Sequence, residues 1–85
     1  MRLPVIKHIH DFIAEHDQDY VIEAIDVLEH LTESEAIKNE ELDVLGEILS
    51  NLHGALQVRE LIKQGMTEKE ALNNFMKRVM ASIDR

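Results

Sequence analysis

Apolar residues recur at intervals of three and four along almost the whole chain, and an alternation of period two is nowhere sustained, so the pattern predicts helices and no strands. Val5, Ile6, Ile9, Phe12 and Ile13 make a first stripe. Pro4 stands where the first helical residue needs no N–H, and Asp17-Gln18-Asp19 breaks the pattern, which places a first helix over about residues 4–16. With Asp17 or Asp19 as N-cap, a second stripe runs through Tyr20, Val21, Ala24, Ile25, Val27, Leu28 and Leu31 and fades at Thr32. Residues 32–39, rich in Glu, Ser, Lys and Asn, read as a connection with room for one helical turn.

A third helix is predicted from a cap at Asn39, with Glu40, Glu41 and Asp43 supplying the negative charge that a first turn favours. Leu42, Leu45, Leu49, Leu52 and Leu56 follow at spacings of three and four, a heptad-like seam, and Val44, Ile48, Ala55, Val58, Leu61 and Ile62 extend it toward Gly65. About 25 residues are needed, or roughly 37 Å. Thr67 and Glu70 have the spacing of a capping box, with Met66 and Ala71 as the staple pair, so Gly65-Met66-Thr67 is a tight corner. Leu72, Phe75, Met76, Val79, Met80 and Ile83 complete a fourth helix. Thr32–Ala36 resembles Thr67–Ala71 without matching flanks, which reads as two similar caps rather than a repeat.

The expected fold is therefore all-α: a small four-helix bundle in one domain over residues 1–85, with one long central helix, assembled as a dimer. Dimerisation is expected because the central helix is about twice as long as its neighbours, so no single short helix covers it from end to end. Gly46, Ser50 and Gly54 lie at i, i+4 and i+8 beside the leucine seam, a smooth strip where another backbone can approach closely. Each interior glycine costs on the order of 1 kcal/mol relative to alanine, so a close contact should offset it. That contact is either a crossing within the chain or a symmetric contact between two chains, and the sequence leaves both open. The residues expected at a homodimer interface are Leu45, Gly46, Leu49, Ser50, Leu52 and Gly54. Gap filling in the core is the expected role of Met66, Met76 and Met80, and Tyr20 reads as a boundary residue able to anchor an interface.

The chain has 85 residues, 17 carboxylates against nine lysines and arginines, and no cysteine. So small a domain buries only about 60–65% of its unfolded surface, which leaves little room for both a core and a deep pocket. The missing cysteines remove disulfides, thiolate zinc sites, iron–sulfur ligation and thiol nucleophiles. A net charge of −8 argues against nucleic acid and anionic membrane as partners, and no apolar run approaches the roughly 18 residues of a membrane span. The N-terminal sequence is not that of a secretory signal, and the expected location is the cytoplasm. Charge is also uneven. Residues 11–47 hold 13 of the carboxylates and only Lys38 as a base, an acidic surface able to steer a basic protein partner. The fourth helix is nearly neutral over residues 68–85, which does not suit a DNA recognition helix.

Candidate chemistry is sparse. His8, Asp11 and Glu15 fall on one line of the first helix, and Glu23, Asp26 and His30 repeat the spacing in reverse order on the second. If the two helices pack antiparallel, His8, Asp11, Asp26 and His30 come to matching levels, the alternative being a metal-binding or enzymatic protein. Both lines sit opposite their apolar stripes, so solvated faces with weak side-chain pairs are the expectation, with no metal and no cofactor. His16 is expected to cap the first helix and His53 to border the seam. No Glu-x-x-His pair, phosphate-cradling glycine loop or local Ser-His-acid arrangement occurs, so the chain reads as non-enzymatic.

Across nearly the whole chain, the segments LPVIKH, DYVIEAIDVLEHLTE, EELDVLGEILSN and ALNNFMKRVMASID resemble a family of short, uncharacterised all-helical proteins of Bacteroidota. These segments are helix faces and caps rather than catalytic signatures. The resemblance implies a stand-alone intracellular domain and carries no activity, cofactor or binding residue with it.

Overall fold

Four helices account for most of the chain: α1 (Leu3–Glu15), α2 (Gln18–Leu31), α3 (Asn39–Lys63) and α4 (Glu68–Ile83). They come from a computed structural model that describes residues 1–83. The Ile83 side chain, Asp84 and Arg85, which entered the sequence readings of the fourth helix, lie outside the described residues. No strand occurs among the described residues, and the chain is an all-α helical bundle.

The helix ends follow from local chemistry. Asp17 is the N-cap of α2, its carboxylate accepting the Asp19 N–H at 3.0 Å. At α4 the predicted capping box is formed in both directions: Glu70 N–H donates to the Thr67 hydroxyl at 3.2 Å, and Thr67 N–H donates to the Glu70 carboxylate at 3.0 Å. Gly65 turns the preceding corner at φ 111°, a conformation L side chains rarely adopt. The start of α3 corrects the sequence reading. Lys38, not Asn39, is the N-cap, because the Glu41 side chain reaches back to accept the Lys38 N–H at 3.0 Å. Residues 32–38 form turns without a helix, with the Ser34 hydroxyl accepting the Ala36 N–H at 3.2 Å.

The core gathers Ile6 and Ile13 from α1, Val21 and Ile25 from α2, Ala55, Val58 and Leu61 from α3, and Ala71, Leu72 and Phe75 from α4. Phe75, Ile6 and Val58 are its largest fully buried side chains, each contributing about 1.5–3 kcal/mol by leaving water. On α3 the buried line is Asn51, Gly54, Ala55, Val58 and Leu61, while Leu49, Leu52 and Leu56 of the seam pack half-buried on its flank. The small residues face inward because α1 and α4 approach α3 closely there: a Cβ on Gly54 would stand 3.0 Å from Ile6 Cδ1 and 3.1 Å from Phe75 Cζ. Gly46 has open space where its Cβ would be. The methionines divide as well, with Met66 packed against the core and Met80 59% exposed, outside the core role expected for it.

α3 touches all three other helices, whereas α2 and α4 make no contact with each other among the described residues. The bundle is consequently flat, 43 × 35 × 17 Å, about two helices deep. Asn51 ties the beginning of α1 to α3. Its Oδ1 accepts the Arg2 N–H at 2.9 Å and its Nδ2 donates to the Glu47 carbonyl at 2.9 Å, so an α3 side chain satisfies the backbone N–H of the α1 N-cap residue.

Candidate functional site

Two features stand apart from ordinary packing: an ionisable cluster where α1 meets the start of α4, and an apolar face shared by α1, α2 and α3. The cluster begins with His10, which lies on the buried side of α1 between Ile6 and Ile13. Only 4% of its side chain is exposed, and its Nδ1 is 2.8 Å from Glu68 Oε2. An ionised carboxylate only accepts, so Nδ1 carries the proton in this pair, and a neutral ring then presents Nε2 as a bare acceptor. That atom is buried and has no hydrogen-bond partner. A buried polar atom left unpaired costs about 1–3 kcal/mol.

Lys7, one turn earlier, lies 3.1 Å from Asp11 Oδ2 and 3.6 Å from Glu68 Oε1. Its hydrogen bond to Asp11 and the charges of Asp11 and Glu68 hold its ammonium above the usual lysine range. The same bond to Lys7 holds Asp11 below the usual carboxylate range. His10, Asp11 and Glu68 present ligand atoms within 4.8 Å of one another, the one such grouping among the described residues. Two carboxylates around a buried imidazole are a donor set a divalent cation can use. Here the Lys7 ammonium already sits against both carboxylates and supplies the compensating charge. The His10–Glu68 contact joins the buried side of α1 to the first residue of α4.

The apolar face begins on α1, where Val5, Ile9 and Phe12 form a line beside the buried one. On one side, Val5 and Ile9 share a shallow hollow with Val44 and Ile48 of α3, rimmed by Arg2, Asp43 and Glu47. On the other, Ile9 and Phe12 share a second hollow with His8, Tyr20, Val21, Ala24 and Leu52. Ile9 belongs to both, so the face is continuous across three helices. Phe12 is 42%, Tyr20 59%, Val44 58% and Ile48 41% exposed. At the corner between α1 and α2, Phe12 lies against His16 at 4.4 Å between ring centroids and meets Tyr20 edge-on at 5.8 Å.

The residues singled out from sequence are placed unevenly. His8, Asp11, Asp26 and His30 do not converge as a group of ligands. Asp11 turns to Lys7, and His30 lies 3.5 Å from Glu33 on a solvated surface. His16 packs its ring against Phe12, while its backbone N–H closes the helix by donating to the Phe12 carbonyl. His53 is exposed. Of the expected interface set, Gly54 is buried inside the chain, Gly46 is exposed, and Leu45, Leu49, Ser50 and Leu52 are half-buried. His10, Asn51 and Glu68 escaped the sequence reading. A polar residue at the register of the buried stripe, as His10 is between Ile6 and Ile13, was the signal that marked it.

A family model described as a family of unknown function (DUF6952) matches residues 1–84. The chain belongs to this family. No curated protein and no solved structure matches the chain. Membership thus agrees with the one-family resemblance seen along all four helices and leaves the functional reading to the geometry. Among the described residues, no helix is long and apolar enough to cross a membrane.

Proposed function

We propose that this member of the family is a non-enzymatic, homodimeric helical module that acts by protein–protein contact in the cytoplasm. One observation carries the reading: α3 has 25 residues against 13, 14 and 16 for its neighbours, and its first turns stand outside the core. Leu42 and Leu45 are half-buried without joining the core cluster, while Val44 and Ile48 are exposed. Apolar surface of this kind on a helix of so small a protein is the usual mark of an interface. The ionic cluster supports the non-enzymatic side of the reading, since its two carboxylates are already engaged by Lys7 and His10. The acidic stretch from Asp11 to Glu47 leaves a surface suited to a basic protein partner once the dimer has formed. A Bacteroidota origin belongs to the same proposal.

The test is the mass of the chain by light scattering over a wide range of concentration. A mass that rises to twice that of the single chain is expected. A mass that stays at one chain throughout rejects the homodimer.

A further inference from the structure

We infer that the surface joining the two copies is the three-helix apolar face centred on Ile9, rather than the small-residue strip of α3. The inference rests on the homodimer reading and gives it a location. The strip divides in this structure: Gly54 is filled against Ile6 and Phe75 of its own chain, and Gly46 stands in open space. Exposed apolar residues also stand singly on α2 and α4, but the side carrying Val5, Ile9, Phe12, Tyr20, Val44 and Ile48 joins them into two adjoining hollows.

Area and charge both select a second copy as the occupant. Scaled by ordinary side-chain areas, the exposed parts of these residues amount to roughly 500 Å² of apolar surface. A standard interface buries about 800 Å² on each partner, about 60% of it apolar, so the face supplies the apolar content of one side. The charges at its edge have both signs. Arg2, with 72% of its side chain exposed, stands on the same rim as Asp43 and Glu47, and Glu47 is already engaged by the chain's own N-terminal ammonium at 2.8 Å. The second hollow is lined by no carboxylate, lysine or arginine. A basic helix would need several unspent carboxylates on this rim, and Asp43 alone of its two makes no ion pair among the described residues. A two-fold contact, in which residue i meets j and j meets i, needs instead a neutral face with a rim of mixed sign, which is what the chain presents.

The experiment is sedimentation velocity on the full chain and on Phe12→Glu, Ile48→Glu and Val27→Glu, each checked for retained helicity by circular dichroism. Val27 is 62% exposed on α2 and lines neither hollow, so it serves as the control. The expected result is a wild-type dimer, about thirtyfold or greater weakening by each of the first two substitutions, and an unchanged dimer for Val27→Glu. In the wild type itself, hydrogen exchange should slow at α1 and at the first half of α3 as the dimer forms. A wild-type dimer that survives both face substitutions, or protection confined to other helices, overturns the location and leaves the homodimer standing. A wild type that stays monomeric overturns both. Dimers weakened by Val27→Glu as strongly as by Phe12→Glu place the contact on the outer side of α2 and overturn the inference as well.

Discussion

Glu68, the first residue of α4, holds the buried imidazole of His10 from 58 positions away, with 2.8 Å between Oε2 and Nδ1. The contact is asymmetric in its exposure: the histidine side chain is 4% and the carboxylate 34% exposed. Removing one partner is therefore not equivalent to removing the other. Glu68→Ala leaves both ring nitrogens unpaired in the core and should destabilise the fold by about 1–3 kcal/mol. His10→Leu removes the orphaned Nε2 and leaves a carboxylate that still reaches water and Lys7, so it should be neutral or stabilising by about 1 kcal/mol. Urea unfolding midpoints compare the two. A larger loss for His10→Leu than for Glu68→Ala would mean that the ring contributes through packing and not through its bond.

The glycines of α3 should respond in opposite directions. Gly46→Ala meets nothing within 4 Å and gains helix propensity, which should stabilise the fold by about 0.5–1 kcal/mol. At Gly54 the same propensity gain is opposed by contacts of 3.0 and 3.1 Å with the buried side chains of Ile6 and Phe75, which would have to shift by a few tenths of an ångström. Overpacking of a tight core costs about 1–3 kcal/mol, so Gly54→Ala should be net destabilising, and Gly54→Leu more so. Thermal unfolding of the three variants checks this, and equal midpoints for the two alanine variants would contradict the close crossing of α1 and α4 on α3.

Acid should weaken the fold through a few identifiable carboxylates. Hydrogen bonds from the chain N-terminus and Asn51 hold Glu47 below the usual glutamate range, and the backbone and hydroxyl of Thr67 do the same for Glu70. Asp11 is lowered by Lys7. In the interval between the folded and unfolded values the unfolded chain binds more protons, so stability rises with pH there and is fully present above the unfolded value. As pH falls from about 5 through the depressed folded values, that contribution is lost. Lys7 acts at the opposite extreme: its raised value yields a contribution lost only in strong alkali, as pH rises through the folded value. Denaturation midpoints measured from neutral pH downward should stay level and then drop. The drop should be shallower in a Glu47→Gln, Glu70→Gln double variant, and an unchanged profile would mean that other carboxylates govern the acid limb.

The four helices were legible because each carries its own punctuation. Pro4 at the start of α1, Asp17 before α2 and the Thr67/Glu70 pair before α4 act within a few residues of their own positions, so the sequence holds the whole cause. The start of α3 was misplaced by one residue because a glutamate side chain, not the asparagine, supplied the cap. The inward face of α3 was harder to read for a different reason. Leucines advertise burial by their hydrophobicity, but where two helices press on a third, small size decides which residues turn inward, and Gly54 and Ala55 displaced the leucine seam. The ionic cluster joins residues 58 apart, and nothing in local spacing brings Glu68 to His10. The apolar face was visible only as separate stripes on separate helices until Ile9 connected them.

The absence of contact between α2 and α4 among the described residues gives the molecule two flanks that do not report to each other directly. One flank can breathe, or be gripped by a visitor, while the opposite one stays shut, and whatever passes between them must travel by way of α1 or α3. A substitution tolerated on α4 therefore says little about what α2 will accept, and these two flanks are free to drift under separate pressures.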